Sequence, residues 1–208
     1  MKYLWETKRI NMIKWLNSFL CDPKNGEKLF LSVFWIHIIF MSLQPTMFKF
    51  PNIVFTIEKY FALILIMLKI ILFDKYNGKH LLFAAVLLID AFLVKAVSSY
   101  QEALIFGIIL LGCKDVDFVK ILKVYVAGNV TVLLAAFVAS RLDIIEDLVY
   151  IRDYVVERNS FGTIYPTNFA AHIFFLLAVY YYIIKESIQK IHLAKSVSNC
   201  MMMTDMRY

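Results

Sequence analysis

Charge is scarce in this chain: Asp, Glu, Lys and Arg make up 18% of its 208 residues, against 61% hydrophobic and 16% aromatic. A soluble domain of this length needs more polar surface than that, so the composition excludes a soluble globular fold and implies a polytopic membrane protein. Cysteine is scarce as well. Cys21, Cys113 and Cys200 show neither paired nor metal-like spacing, which argues against a disulfide framework and against a Cys-based metal centre. No signal peptide is expected, because the N-terminal segment lacks a continuous apolar core and a small-residue cleavage site. Internal repeats and broken helices, the marks of many small transporters, are also missing. The net charge of +6 would suggest nucleic acid in a soluble protein, but here the distribution of Lys and Arg among loops matters more than the total.

What is present is a series of apolar stretches. A bilayer core of about 30 Å takes roughly 20 helical residues to cross. Six stretches qualify as candidates: Leu29 to Leu43, Ile53 to Phe73, Leu81 to Val97, Ser98 to Cys113, Ile121 to Ser140 and Phe169 to Ile184. The expected fold is an all-α transmembrane bundle of about six spans with one long outer loop. Ser98-Ser99 is barely a loop, so the third and fourth stretches are expected to form a tight hairpin or a partly re-entrant pair. The chain then divides into a leader (1–28), a bundle (29–140), the loop (141–167), a last span (168–184) and a polar tail (185–208). In the leader, Leu4, Trp5, Met12, Ile13, Leu16, Phe19 and Leu20 recur at helical spacing among Lys2, Lys8, Arg9 and Lys14. That pattern suits a basic amphipathic helix on the membrane surface, with a plain solvated leader as the alternative.

Basic residues set the orientation. The leader holds six Lys or Arg, the loop after the second span Lys75 and Lys79, the loop after the fourth Lys114, Lys120 and Lys123, and the tail four more. The other side holds Lys49, Arg141, Arg152 and Arg158. The positive-inside rule puts both termini in the cytoplasm and the 141–167 loop outside, and all three cysteines then face the reducing side.

Polar groups inside the spans are costly and call for partners. Asp90 and Lys95 are five apart, roughly 140° around a helix, so each is expected to find a partner elsewhere. Asp90 suits a functional role or an interhelical contact. Lys59 and Lys69 lie nearer span ends and are expected to snorkel, while His37 and Asn129 read as helix-packing contacts.

The outer loop is the only long hydrophilic segment between spans. Ile144, Ile145, Leu148, Val149 and Tyr150 alternate there with Asp143, Glu146 and Asp147, which predicts a short amphipathic helix on the outer face; a merely solvated connector is the alternative. Gly162 permits a backbone conformation other residues resist. Pro166 disfavours helix at Tyr165, so Thr167 is placed to cap a helix starting near Asn168. Asn168 and His172, four apart, share one face of that helix. Arg158 carries a planar guanidinium suited to two-point contact with phosphate or carboxylate.

The string IEDLVYIRDYVVERNSFGTIYPTNFAAH resembles the large extracytoplasmic loop of bacterial polysaccharide polymerases of the O-antigen polymerase (Wzy) type, and more distantly the O-antigen ligases. Arg158-Asn-Ser-Phe-Gly162 matches that family's Arg-x-x-x-Gly element, and Tyr165-Pro-Thr-Asn168 entering Ala170-Ala171-His172 matches its continuation. The likeness covers about 30 residues, and six spans are fewer than the ten or more typical of the family, so an N-terminal or truncated portion is expected.

The resemblance implies an inverting glycosyltransferase of the bacterial cytoplasmic membrane. It would join polyprenyl-diphosphate-linked oligosaccharides at the outer face, without cofactor, metal or nucleic acid. Arg158 would stabilise the charge that develops on the leaving diphosphate, and His172 or Glu157 would deprotonate the acceptor hydroxyl. Gly162, Asn168 and Arg152 complete the expected substrate-binding set with Arg158. Partners would be the bilayer, a second polymerase half or other polysaccharide-assembly proteins. The alternatives are a non-catalytic membrane subunit of such a complex and a small transporter subunit. Cysteine-accessibility labelling in intact cells tests the orientation. Positions beside Lys24, Lys75, Lys114 and Lys190 should be protected and positions beside Asp147 labelled; the reverse at Asp147 would remove the basis for an outer site.

Overall fold

A computed structural model describes residues 22–98, 102–152 and 156–205. The elements run α1 (Pro23–Leu43), α2 (Asn52–Leu72), α3 (Gly78–Ser98), α4 (Glu102–Gly112), α5 (Phe118–Arg141), β1 (Val149–Arg152), β2 (Val156–Asn159) and α6 (Pro166–Asp205). The expected helix of the leader lies outside the described residues. Among the described residues, four helices are long and apolar enough to cross a membrane: Lys24–Leu43, Gly78–Ser98, Phe118–Arg141 and Pro166–Ile191. The chain divides into two compact units, one of α1 as far as Phe40 with Lys49–Ile121, the other of Met41–Phe48 with the chain from Leu122 onward.

In the first unit, α2 has the 21 residues of a span but carries Glu58, Lys59 and Lys69, and each is matched. His37 Nδ1 of α1 lies 3.2 Å from Glu58 Oε1, and Lys59 pairs with Glu102 at the start of α4. Lys69 corrects the expectation of snorkelling, because it is 2% exposed and turned inward. Its ammonium donates to the Gly112 carbonyl at 2.9 Å and the Lys114 carbonyl at 2.6 Å, and pairs with Asp74 Oδ1 at 2.6 Å. The last carbonyls of any helix lack intrahelical partners and carry the negative end of its dipole. Lys69 therefore caps α4 from a neighbouring helix. Burial pushes the Asp74 carboxyl up while the Lys69 ammonium draws it back, and its second oxygen is buried without a hydrogen-bond partner among the described residues.

Helix α4 has only 11 residues, about 16 Å of rise, so the fourth apolar stretch falls short of a span by itself. It lies against α3 as the expected hairpin partner, with small residues at the contact: a Cβ on Gly107 would stand 3.4 Å from that of Ala91. At Gly112 a Cβ would come within 2.6 Å of Ile66, so this end of α4 approaches α2 as closely as a glycine allows. The loops around Asp74 and Lys114 meet at one end of the unit. Tyr76 Oη donates to the Leu111 carbonyl at 3.3 Å, and Lys114 Nζ stands 4.8 Å from the Tyr76 ring centroid. Burial and the nearby Asp74 and Asp115 carboxylates push the Tyr76 phenol up to about 12.

In the second unit α5 ends on a left-handed Asp143, with Ile144 N–H bonding the Ala139 carbonyl at 2.9 Å, a Schellman closure. The amphipathic helix expected over Asp143 to Tyr150 does not form. The segment enters an antiparallel hairpin instead, with Val149 opposite Asn159 and Arg152 opposite Val156. The β-branched and aromatic run Val149-Tyr150-Ile151 favours a pleated surface over a helix, and the hairpin makes the chain mainly rather than wholly α. Helix α6 begins at Pro166, with proline in the first helical position where its missing N–H costs nothing. Thr167 is thus inside the helix and does not cap it. Helix α6 continues without a break through the polar tail to Asp205.

Removing one partner of a buried ion pair strands the other. Lys69→Met should therefore destabilise the protein by about 3–5 kcal/mol, read as lower thermal stability of the purified protein in detergent, whereas Lys49→Met at an exposed position should not.

Candidate functional site

The second unit is built around the turn at Gly162, which has φ +78°. A Cβ there would stand 2.5 Å from the Ala136 carbonyl oxygen of α5. Glycine is thus required both by backbone conformation and by close approach. The turn is pinned from the other side by residues after α1. Met47 N–H donates to the Gly162 carbonyl at 2.9 Å and Ile164 N–H to the Pro45 carbonyl at 2.7 Å, around a bridge between Thr46 and Thr163. Ser160, fully buried, exchanges backbone contact with Leu148, and its Oγ accepts from Leu148 N–H at 3.1 Å. Phe161 wedges between Phe137 and Phe169, at centroid distances of 5.9 and 5.0 Å. Gly162 thereby serves the architecture of the loop.

The hairpin displays its charges on two faces. Tyr150 is opposite Arg158 and Ile151 is opposite Glu157. Successive strand residues point to opposite sides, so Arg158 shares a face with Tyr150 while Glu157 looks the other way. Tyr150 Oη donates to the Ile164 carbonyl at 2.8 Å, and its ring lies 5.7 Å from that of Tyr165, the residue before α6. The Arg158 face is therefore the one turned toward the entry of α6. Arg158 is exposed and forms no ion pair among the described residues. Arg141 by contrast is engaged: its guanidinium is 3.5 Å from Asp147 and stacks over Phe137 and Phe161 at 5.5 and 5.3 Å. The side chain of Arg152 lies outside the described residues.

Deeper in the unit, His172 Nδ1 lies 3.0 Å from Asn129 Oδ1. The same oxygen accepts from Ser42 Oγ at 2.9 Å, while Asn129 Nδ2 donates to the Tyr125 carbonyl at 2.9 Å. With the amide so oriented, Oδ1 is an acceptor, His172 Nδ1 must carry the proton, and Nε2 presents the lone pair of the neutral ring. The sequence placed Asn129 as a packing residue, and it is the hub of this network. Nothing in the sequence marked Ser42. Asn168 is half-buried in the first turn of α6, with its backbone N–H on the Tyr165 carbonyl at 3.0 Å and no side-chain hydrogen bond among the described residues. One turn further, an apolar groove of about 290 Å³ opens between α5 and α6, lined by Leu133, Phe137, Phe169, Ile173 and Leu176 among others.

The fold thus brings Arg158, Tyr150 and Tyr165 together, sets His172 on Asn129, and turns Glu157 away from Arg158. Among the described residues no group of three or more His, Cys, Asp or Glu could hold a metal ion. No family model, no curated protein and no solved structure matches the chain.

Asn129→Leu would leave the Ser42 hydroxyl and the His172 N–H without their shared acceptor. A buried polar group so stranded costs about 1–3 kcal/mol, and unfolding of the purified protein should show that loss. Asn168→Ala should stay within about 0.5 kcal/mol of the parent.

Proposed function

We propose that this chain is a membrane component of extracellular polysaccharide biosynthesis, in which the Arg158 face of the hairpin receives the diphosphate of a polyprenyl-linked oligosaccharide. The observation that carries this reading is Arg158 itself: it is exposed and forms no ion pair among the described residues, on the face turned toward Tyr165 and the start of α6, while Arg141 is already committed to Asp147. A planar guanidinium can grip two phosphate oxygens at once. Breaking the sugar-phosphate bond places negative charge on the departing diphosphate, and a fixed cation there lowers the barrier without a metal. The groove between α5 and α6 is wholly apolar and suits the isoprenoid tail of the same lipid. His172 Nε2 is available to take the proton of the acceptor hydroxyl. Glu157, on the opposite hairpin face, is the weaker candidate for that step. In this reading the membrane is the bacterial cytoplasmic membrane, the hairpin faces outward and both termini face the cytoplasm.

A second reading has its own support. His172 is held by Asn129 in the manner of a packing histidine, as a non-catalytic subunit of an assembly complex would have it.

Complementation of a polymer-negative bacterial strain, with any second polymerase half supplied, separates the two. Arg158→Ala should lower polymer output about a hundredfold with membrane insertion and protein level intact. Arg158→Lys should also impair it, because the charge remains but the two-point grip is lost. Lys49→Ala serves as the charge control. Normal chain length and amount from Arg158→Ala would sink the diphosphate assignment. Full activity of His172→Gln would assign His172 to packing.

A further inference from the structure

The apolar groove between α5 and α6 ends at a cluster of charge. Val130, Leu134 and Phe137 of α5 and Phe169, Ile173 and Leu176 of α6 line it, all within the second unit, and every lining side chain is apolar. Its volume of about 290 Å³ is about twice that of apolar cavities that stay dry and take up benzene. Water therefore gains nothing there, and a peptide or a sugar would leave its polar groups unbonded. Hydrocarbon is the filling that suits it. Leu134 is 58% exposed and Ile173 38%, so the walls open along the outside of two helices that are each long and apolar enough to cross a bilayer.

Arg141 continues the α5 wall. Val130, Leu134, Phe137 and Arg141 are spaced four, three and four apart, one stripe of the helix surface. Phe161 stands between Phe137 and Phe169 at the loop end of the groove, and the Arg141 guanidinium lies over Phe137 and Phe161 at 5.5 and 5.3 Å. Its contact with Asp147 runs through a single nitrogen at 3.5 Å, which holds the group in place and leaves most of its N–H donors to other acceptors. Asp147 is held in turn by the Ser160 hydroxyl at 3.3 Å. Asp143 and Glu146 are exposed and form no ion pair among the described residues. The rim thus sets one cation beside three carboxylates. Repulsion from those carboxylates works against a purely anionic head group, whereas a head group with both a phosphate and an ammonium meets both signs. Depth fits as well. Val130 to Arg141 is about 16 Å of helical rise, and one leaflet of hydrocarbon is about 15 Å deep.

We infer that the groove is a phospholipid site: one acyl chain of phosphatidylethanolamine lies between α5 and α6, with its phosphate on Arg141 and its primary ammonium among Asp143, Glu146 and Asp147. The guanidinium gives the phosphate a charge-assisted hydrogen bond, and the primary ammonium has three N–H donors for the carboxylates. The quaternary ammonium of phosphatidylcholine has no N–H to give them, and the head group of phosphatidylglycerol has no cation. A single groove takes one chain, so the second acyl chain stays in the bilayer. An isoprenoid tail enters the same groove only by displacing this lipid. The assignment needs α5 and α6 to cross a bilayer and does not depend on what Arg158 binds.

The full chain, purified in detergent, is titrated in turn with phosphatidylethanolamine, phosphatidylglycerol and phosphatidylcholine of one acyl composition and with geranylgeranyl phosphate, and retained lipid is counted by native mass spectrometry. One phosphatidylethanolamine per chain should be held about tenfold more tightly than any of the other three, which all lack the ammonium contact. Arg141→Gln should weaken retention by about the same factor. Leu134→Trp, which fills the groove, should abolish it. Ala171→Trp, exposed on α6 away from the groove, and Lys49→Gln should retain the lipid as the parent does. Equal retention of all four lipids would mean annular association only and overturn the proposal. Tighter retention of any of the other three, or an Arg141→Gln chain that holds phosphatidylethanolamine as well as the parent, would overturn it too. Because the lipids are compared on the parent chain, the comparison decides the matter even if Leu134→Trp fails to fold.

Discussion

Much of the first unit depends on where one ammonium group goes. Lys69 is enclosed by protein, and its three bonds run to Asp74, to the last residue of α4 and to the loop beyond it. A short helix has little cooperative stability of its own, and α4 ends beside an apolar neighbour at the Gly112 carbonyl, which the Lys69 ammonium meets. The lysine answers both needs, which is why Gly112 can sit against Ile66 and Phe30 with no room for a methyl group. The same logic accounts for Glu58 with His37 and Lys59 with Glu102. Each polar group on α2 joins it to another helix, so the charges that make its sequence look less like a membrane span are the ones that hold the helices together.

The second unit uses backbone geometry for the same purpose. Gly162 comes against the Ala136 carbonyl, the Pro45 to Met47 segment adds a bridge on its other side, and Phe161 fills the space between α5 and α6. With the loop fixed in this way, the hairpin can present Arg158 on a defined face. Binding groups carried on loops gain from rigid support beneath them.

The helices were legible because a long apolar run has few alternatives, and the break at Pro166 and the special backbone at Gly162 could be read from single residues. Arg158 could be singled out by type, but that Asp147 pairs with Arg141 and no described carboxylate pairs with Arg158 could not. The hairpin is hidden in the sequence because acids alternating with aliphatic residues suit both periods over a few positions, and the β-branched residues decide the matter. Lys69 was misplaced for a different reason. Its proximity to a helix end is visible in the sequence, but whether a lysine turns out to water or in toward a neighbour depends on which carbonyls that neighbour leaves open. Ser42 could not have been linked to His172 either, since Asn129 joins them only after three distant stretches have folded.

The brevity of α4 has a consequence for the surrounding lipid. Eleven residues cover about half of a typical hydrocarbon thickness, and the end of α4 that falls short of the full depth carries Glu102 with its Lys59 partner. In a bilayer, acyl tails beside that end must shorten or tilt, or headgroups and water must descend to the ion pair. Hydrophobic thickness then enters the energy of the folded state itself. Wherever that end of α4 meets lipid, acyl-chain length is a parameter to which this corner of the protein responds.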